Sequence, residues 1–174
     1  MVSLAEGTAE SSRILGTAVL SPGYGLSHFH SAVLVLDASE KAFCAVAYFR
    51  FEYPSGERQC AFEAAKTRVA PVKPLSIPRL ELQAAVLIVR LACMIQKEHH
   101  YEEPSTYYWS DSSAVIGQIH GESKRRPNFT ANRLSEIVDT LEPQQWCQCP
   151  GKLNPADDGS RGLKADAIKL PLAK

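Results

Sequence analysis

The chain has 174 residues, 45% hydrophobic and 22% charged, with Lys+Arg and Asp+Glu at 19 each. That is one domain's worth of sequence with apolar material for a core, which excludes wholesale disorder. Zero net charge excludes a polybasic nucleic-acid binder that depends on many phosphate contacts, though not a local basic groove.

Residues 1–28 carry Gly7, Gly16, Pro22, Gly23 and Gly25 with poor apolar periodicity, and read as a weakly structured leader before one domain over 29–174. No apolar run is long enough to span a membrane, and the N-terminus lacks the basic-then-apolar order of a signal peptide. From Ser31 to Asp37 the chain is almost continuously apolar and rich in β-branched residues, the pattern of a strand covered on both faces. Phe43–Phe51 and about Gln59–Thr67 predict two more strands, separated by the turn chemistry of Tyr53-Pro54-Ser55-Gly56. The close spacing of the three suggests an antiparallel meander.

A proline-rich stretch from Pro71 to Pro78 then leads into a helix over about Arg79–Glu98, with Pro78 suited to its first position. Leu80, Ala84, Leu87, Leu91 and Ile95 form one stripe and Ala85, Ile88 and Ala92 another, so this helix is expected to be central and buried, with Cys93 as a small core residue. A strand at Ser105–Ser110, helices at about Ser112–His120 and Asn128–Leu141, a strand at Gln145–Cys149 and a short helix opened by Asn154-Pro155-Ala156-Asp157 complete the order. βββ-α-β-α-α-β-α describes a mixed sheet with helices on its faces.

The five cysteines are odd in number and form no CxxC pair, which favours a reduced intracellular chain, cytoplasmic or nuclear, over a disulfide framework. Cys147 and Cys149 share a strand face, but without a second cysteine pair or a nearby histidine a zinc site is disfavoured. His28 and His30 read as a solvated strand edge.

Four acids stand at the ends of elements that otherwise look buried. Asp37 ends the first strand on the face of Val33 and Val35; Glu81 heads the stripe of Ala85, Ile88 and Ala92; Asp111 ends the fourth strand; Asp157 begins the last helix. Each has an ordinary structural role open to it. Asp37 suits a turn with Ser39, Glu81 the helix dipole, Asp111 the cap of the next helix, and Asp157 the third position of a helix capped by Asn154. Acids are rarely buried unless paired or metal-bound, and together they suggest oxygen ligands for a hard cation such as Mg²⁺.

The segments Leu36-Asp37-Ala38-Ser39, Val69-Ala70-Pro71-Val72-Lys73, Ile77-Pro78-Arg79-Leu80-Glu81-Leu82-Gln83-Ala84-Ala85, Trp109-Ser110-Asp111-Ser112 and Pro150-Gly151-Lys152-Leu153-Asn154-Pro155-Ala156-Asp157-Asp158-Gly159-Ser160-Arg161-Gly162 carry a family likeness. They resemble the ribonuclease H domain of BEL/Pao-type LTR retrotransposon polyproteins, over about residues 31–165. The resemblance implies an α/β, ribonuclease H-like fold: a five-stranded mixed sheet, first three strands antiparallel, flanked by helices. It implies catalytic and metal-binding roles for Asp37, Glu81, Asp111 and Asp157, with Asp158 in reserve for the fourth. That order, with the glutamate second, speaks against DDE transposases and integrases. The implied reaction is hydrolysis of the RNA strand of an RNA–DNA hybrid with two Mg²⁺ ions, Mn²⁺ being an alternative. The implied partners are the hybrid and a reverse transcriptase domain of the parent polyprotein, with no membrane. The opposing reading is a catalytically inactive nucleic-acid-binding or scaffold remnant of such a polyprotein.

Lys66, Arg68 and Lys73 before the central helix, Lys124-Arg125-Arg126 before the third helix, and Lys152 and Arg161 flanking the fourth acid are candidates for nucleic-acid contact, or ordinary solvated cations. The sequence departs from the pattern of the family it resembles: Cys44 stands where a small Gly or Ala is frequent and is expected to crowd the nucleic-acid face, Gln118 stands where many members carry Trp, and the leader before His30 does not look like the usual connection to a reverse transcriptase. The histidine that aids product release in some ribonucleases H is not evident.

Overall fold

The computed structural model describes residues 28–99, 105–121 and 127–162. The expectations for the leader up to residue 27 and for the Lys124–Arg126 run therefore fall outside the described residues, as do the side chains of His28 and His30. The elements are β1 (His28–Ala38), β2 (Ala42–Glu52), β3 (Arg58–Val69), α1 (Ile77–His99), β4 (Ser105–Ser110), α2 (Ser113–Ile119), α3 (Asn128–Val138), β5 (Trp146–Gln148) and α4 (Asp157–Arg161). The sheet runs in the order β3-β2-β1-β4-β5. β1, β2 and β3 pair antiparallel, whereas β4 runs parallel to β1 and β5 parallel to β4. This is the five-stranded mixed sheet expected from the sequence.

Local chemistry sets the joints. Ser39 closes the β1–β2 turn: its N–H donates to the Ala42 carbonyl and its Oγ accepts the Lys41 and Ala42 N–H groups. Gly56, at φ 80°, takes the left-handed position in the β2–β3 turn, where a side chain would be strained. The Ser76 carbonyl accepts from the Arg79 and Leu80 N–H groups. α1 thus begins at Ile77 and Pro78 is its second residue rather than its first; its missing N–H still costs nothing in the opening turn.

α1 lies across one face of the sheet. Leu80, Ala84, Leu87, Leu91 and Ile95 are buried as predicted, the last four in one core with Leu34 and Leu36 of β1, Ala45, Ala47 and Phe49 of β2 and Tyr108 of β4. Val115 and Ile119 of α2 and Leu134 and Ile137 of α3 close the core on that side, and Tyr108 stacks on Trp146. Cys93 is not a core residue: it is exposed, on the stretch with Arg90 and Met94, because the C-terminal half of α1 has one solvent-facing side. α3 stops at Val138, short of Leu141, and β5 is shortened because Pro143–Gln145 form a 3-10 turn in front of it.

Arg90 of α1 holds Glu136 of α3 through two hydrogen bonds, Nε–Oε1 at 2.7 Å and Nη2–Oε2 at 3.0 Å. The Arg90 side chain is 65% exposed. Replacing it with alanine is accordingly expected to cost less than about 1 kcal/mol in urea denaturation, and the cost should shrink in high salt.

Candidate active site

The parallel pairing of β1 with β4 places two of the predicted acids side by side. Leu36 faces Ser110 in the last paired rung, so Asp37 and Asp111 leave neighbouring strands at the same level. Asp37 is buried, with 5% of its surface exposed. Burial pushes its carboxyl up to about 6; the Ser160 hydroxyl opposes this, Asp111 and Asp157 push further upward, and the Arg161 guanidinium pulls down. The last helix therefore sits close enough for its acid to be felt at the end of β1. Burial likewise raises Glu81, opposed by a hydrogen bond from Ser112 and reinforced by Asp111. Asp111 is thus the common neighbour of Asp37 and Glu81.

Two of the ordinary roles open to these acids are taken by other residues. The β1–β2 turn is made by Ser39, not Asp37. The cap of α2 is Ser112, whose Oγ accepts the Val115 N–H at 3.3 Å, so Asp111 is not the capping residue. Asn154 donates its own N–H to the Gly151 carbonyl, which leaves no capping box for Asp157 to close. α4 begins at Asp157 itself, and the Asp157 carboxylate accepts from Arg161 Nε one turn on, at 2.5 Å. Asp158 is exposed, whereas Asp157 is half-buried.

Serine and asparagine side chains hold the acids. Ser112 Oγ donates to Glu81 Oε2 at 2.6 Å. Ser160 Oγ donates to Asp37 Oδ2. Asn154 Nδ2 donates to the Leu36 carbonyl at 2.9 Å and reaches Asp37 Oδ1 at 3.4 Å, while its Oδ1 accepts the Ala156 N–H. Two glycines make room. A methyl group on Gly151 would stand 3.0 Å from Asp111 Oδ2, and one on Gly159 would stand 2.4 Å from Cys44 Sγ. Cys44 is therefore not a residue that crowds an open nucleic-acid face. Its thiol is 1% exposed, lies beneath α4 against Gly159, and accepts from Thr67 Oγ1 at 3.3 Å.

Ser112 serves Glu81 and the cap at once. Its replacement by alanine removes the acceptor for the Val115 N–H and the donor to Glu81, and is expected to cost about 1 kcal/mol in urea denaturation; Ser112→Thr, which keeps both groups, should stay close to the parent. Ser112 could have been found from its position, a serine just before an apolar helix. Asn154 was singled out only as a cap, and Ser160 carries no signal that separates it from a surface serine.

The donor set suits a hard divalent cation: it is all carboxylate oxygen, and a positive ion near Asp37 would relieve the repulsion from Asp111 and Asp157. Among the described residues no three His, Cys, Asp or Glu side chains already form a cage for a metal ion. Each of Asp37, Glu81 and Asp157 is turned instead to a neighbouring donor: Ser160, Ser112 and Arg161. Cys149 is buried near the same acids; burial, with Asp111 and Asp37, holds its thiol up at about 11, so it stays protonated at neutral pH.

Of the predicted basic contacts, Lys152 is exposed in the 3-10 turn Gly151–Leu153, whose first residue touches Asp111. Arg161 is exposed and paired with Asp157. Lys66 is half-buried on β3, and Lys73 is exposed before α1. No helix among the described residues is long and apolar enough to cross a membrane.

The model of the Pao retrotransposon-like RNaseH-like domain family matches residues 26–112, which include Asp37, Glu81 and Asp111 and stop before Asp157. No curated protein matches the chain. Among solved structures, an N-terminal RNase H domain from Mycobacterium tuberculosis, determined as a fusion with maltose-binding protein, is 11% identical with a TM-score of 0.50. The similarity covers 75% of this chain and 90% of that one. RNase H1 from the halophilic archaeon Halobacterium salinarum is 12% identical with a TM-score of 0.47, over 75% of this chain and 92% of that one. The mycobacterial likeness identifies the fold as ribonuclease H-like.

Proposed function

The chain belongs to the Pao retrotransposon-like RNaseH-like domain family, and from that premise we propose that it hydrolyses the RNA strand of RNA–DNA hybrids, with Asp37, Glu81, Asp111 and Asp157 as its metal-binding acids. The observation that carries this reading is the buried Asp37, placed under the combined repulsion of Asp111 and Asp157 with only a serine hydroxyl, an asparagine amide and the distant charge of Arg161 to offset it. A protein that needed the buried Asp37 only for structure would give it a cation in direct contact, whereas its hydrogen-bond partners are neutral. Bound divalent ions, Mg²⁺ or Mn²⁺, supply a water of lowered pKa and stabilise charge on the leaving 3′-oxygen.

The chain's own residues prepare the site. β1 and β4 hold Asp37 and Asp111 at one level on a rigid sheet. α1 and Ser112 fix Glu81 beside them. Asp157 arrives on α4 with Arg161 at its outer edge. Burial around Asp37 lowers the local dielectric, which strengthens its attraction to a cation as much as its repulsion from the other acids. The substrate backbone would meet the exposed cations Lys73, Lys152 and Arg161 and the half-buried Lys66, and the Lys124–Arg126 run is a further candidate from the sequence alone. A reverse transcriptase domain of the parent polyprotein is the partner proposed to make the hybrid, a reading supported by the retrotransposon family of the chain.

A fluorogenic RNA–DNA hybrid incubated with the protein tests the reading. Cleavage with Mg²⁺ that stops on addition of EDTA is the expected result. Hybrid binding with no turnover at any Mg²⁺ or Mn²⁺ concentration would instead support the non-catalytic remnant.

A further inference from the structure

Asp37 is the most buried of the four acids, and its side chain is held from α4. Ser160 is 1% exposed and its hydroxyl donates to Asp37 Oδ2. The same oxygen lies 3.1 Å from the Asp157 carbonyl, but one hydroxyl carries one proton, and the closer acceptor takes it. The backbone of Ser160 is itself pinned: its carbonyl accepts from Ser39 Oγ at 2.7 Å and its N–H donates to the Ala156 carbonyl. Ser160, three positions beyond Asp157, thus holds Oδ2 of Asp37 from a helix that begins with another of the acids, while Asn154 Nδ2 reaches Oδ1 at 3.4 Å.

We propose that Ser160 is a positioning residue of the metal site: its hydroxyl sets the direction in which the Asp37 carboxylate presents its second oxygen to a divalent cation. The proposal rests on the nuclease reading, and it names a group that neither the family match nor the four acids supply. A hydroxyl suits the task because it is a neutral donor. It orients the carboxylate without cancelling its charge, whereas a guanidinium in that place would compete with the cation. The partners of metal-ligating groups usually matter about tenfold to a hundredfold in affinity or activity.

The test uses the full chain with Mn²⁺ as probe, its binding followed by paramagnetic resonance, alongside hybrid cleavage titrated with Mg²⁺. Ser160→Ala is expected to fold, to bind Mn²⁺ at least about tenfold more weakly and to need correspondingly more Mg²⁺. Ser160→Thr should restore both. Ser39→Ala serves as the comparison, because it loosens the end of α4 without touching the Asp37 carboxylate; it should lower the melting temperature while keeping Mn²⁺ affinity. Should Ser160→Thr fail to fold in its buried site, the contrast between Ser160→Ala and Ser39→Ala decides alone. Parent-like Mn²⁺ affinity in Ser160→Ala overturns the proposal and leaves the nuclease reading standing. An equal loss in Ser39→Ala overturns it too, since the effect would then be the docking of α4. A parent protein that neither binds Mn²⁺ nor cleaves hybrid overturns both.

Discussion

Asp37→Asn should abolish hybrid cleavage and, in the absence of metal, make the protein more stable at neutral pH. The loss of activity follows from removing the acid that has Asp111 and Asp157 around it. If it contributes even about 4 kcal/mol to the transition state, the rate falls about a thousandfold. The gain in stability follows from linkage. The Asp37 carboxyl titrates at about 6 in the folded chain, above its ordinary 3.8. The folded state therefore holds the proton more tightly than the unfolded state, and stability declines as pH rises from about 4 to about 6 and stays reduced above that. An uncharged asparagine removes this penalty, which is about 3 kcal/mol for a shift of that size. Melting curves without divalent ions should show the variant above the parent at pH 7.5 and level with it near pH 4. Added Mg²⁺ should raise the parent and not the variant. A parent that outlasts the variant at pH 7.5 without metal would contradict the buried, repelled carboxylate.

Gly159→Ala should unfold or strongly destabilise the end of the protein that holds the site. A methyl group there would stand 2.4 Å from Cys44 Sγ and 3.2 Å from Cys44 Cβ. Cys44 cannot swing aside, because it is 1% exposed in the middle of the sheet, packed with Val46 and Ala156. Overpacking of this kind costs about 1–3 kcal/mol. In the double variant, Cys44→Gly removes both clashing atoms and should recover most of the loss, whereas Cys44→Ala leaves the 3.2 Å contact and recovers less. Denaturant titration of the four proteins gives the coupling directly. Additive losses would show that the two residues do not share the space.

Most of the fold was legible in the sequence because it rests on periodicity. The continuous apolar run of β1 and the double stripe of α1 each correspond to an element observed close to its predicted bounds. The errors fall where a pattern of apolar residues says nothing about how long its cover extends. Cys93 lies within the α1 run but past the edge of what the sheet covers. The last turn predicted for α3 departs from regular helix after Val138, where the Thr140 N–H donates to the Ile137 carbonyl, three residues back, and the Leu141 N–H shares that acceptor. At the site, the four acids could be picked out by their incongruity, yet the ordinary role of each was equally readable. The structure removes two of those roles: Ser112, the very next residue, takes the cap from Asp111, and Asn154 lies outside α4, its Nδ2 donating to the Leu36 carbonyl and its Oδ1 accepting the Ala156 N–H. Cys44 and Gly159 illustrate the same limit. The thiol looked like an obstacle because the glycine that accommodates it stands on another element.

The pairing of β1 with β4, and the seating of α4 on β1 and β2, also have a consequence in time. Positions 37 and 157 are 120 residues apart. A ribosome adding 5–20 residues per second takes about 6–24 s to go from one to the other. For that interval the growing chain holds Asp37 with its strand partner β2 but without Asp157 or Ser160. A site that needs all four acids is therefore complete only after the last of them has left the exit tunnel.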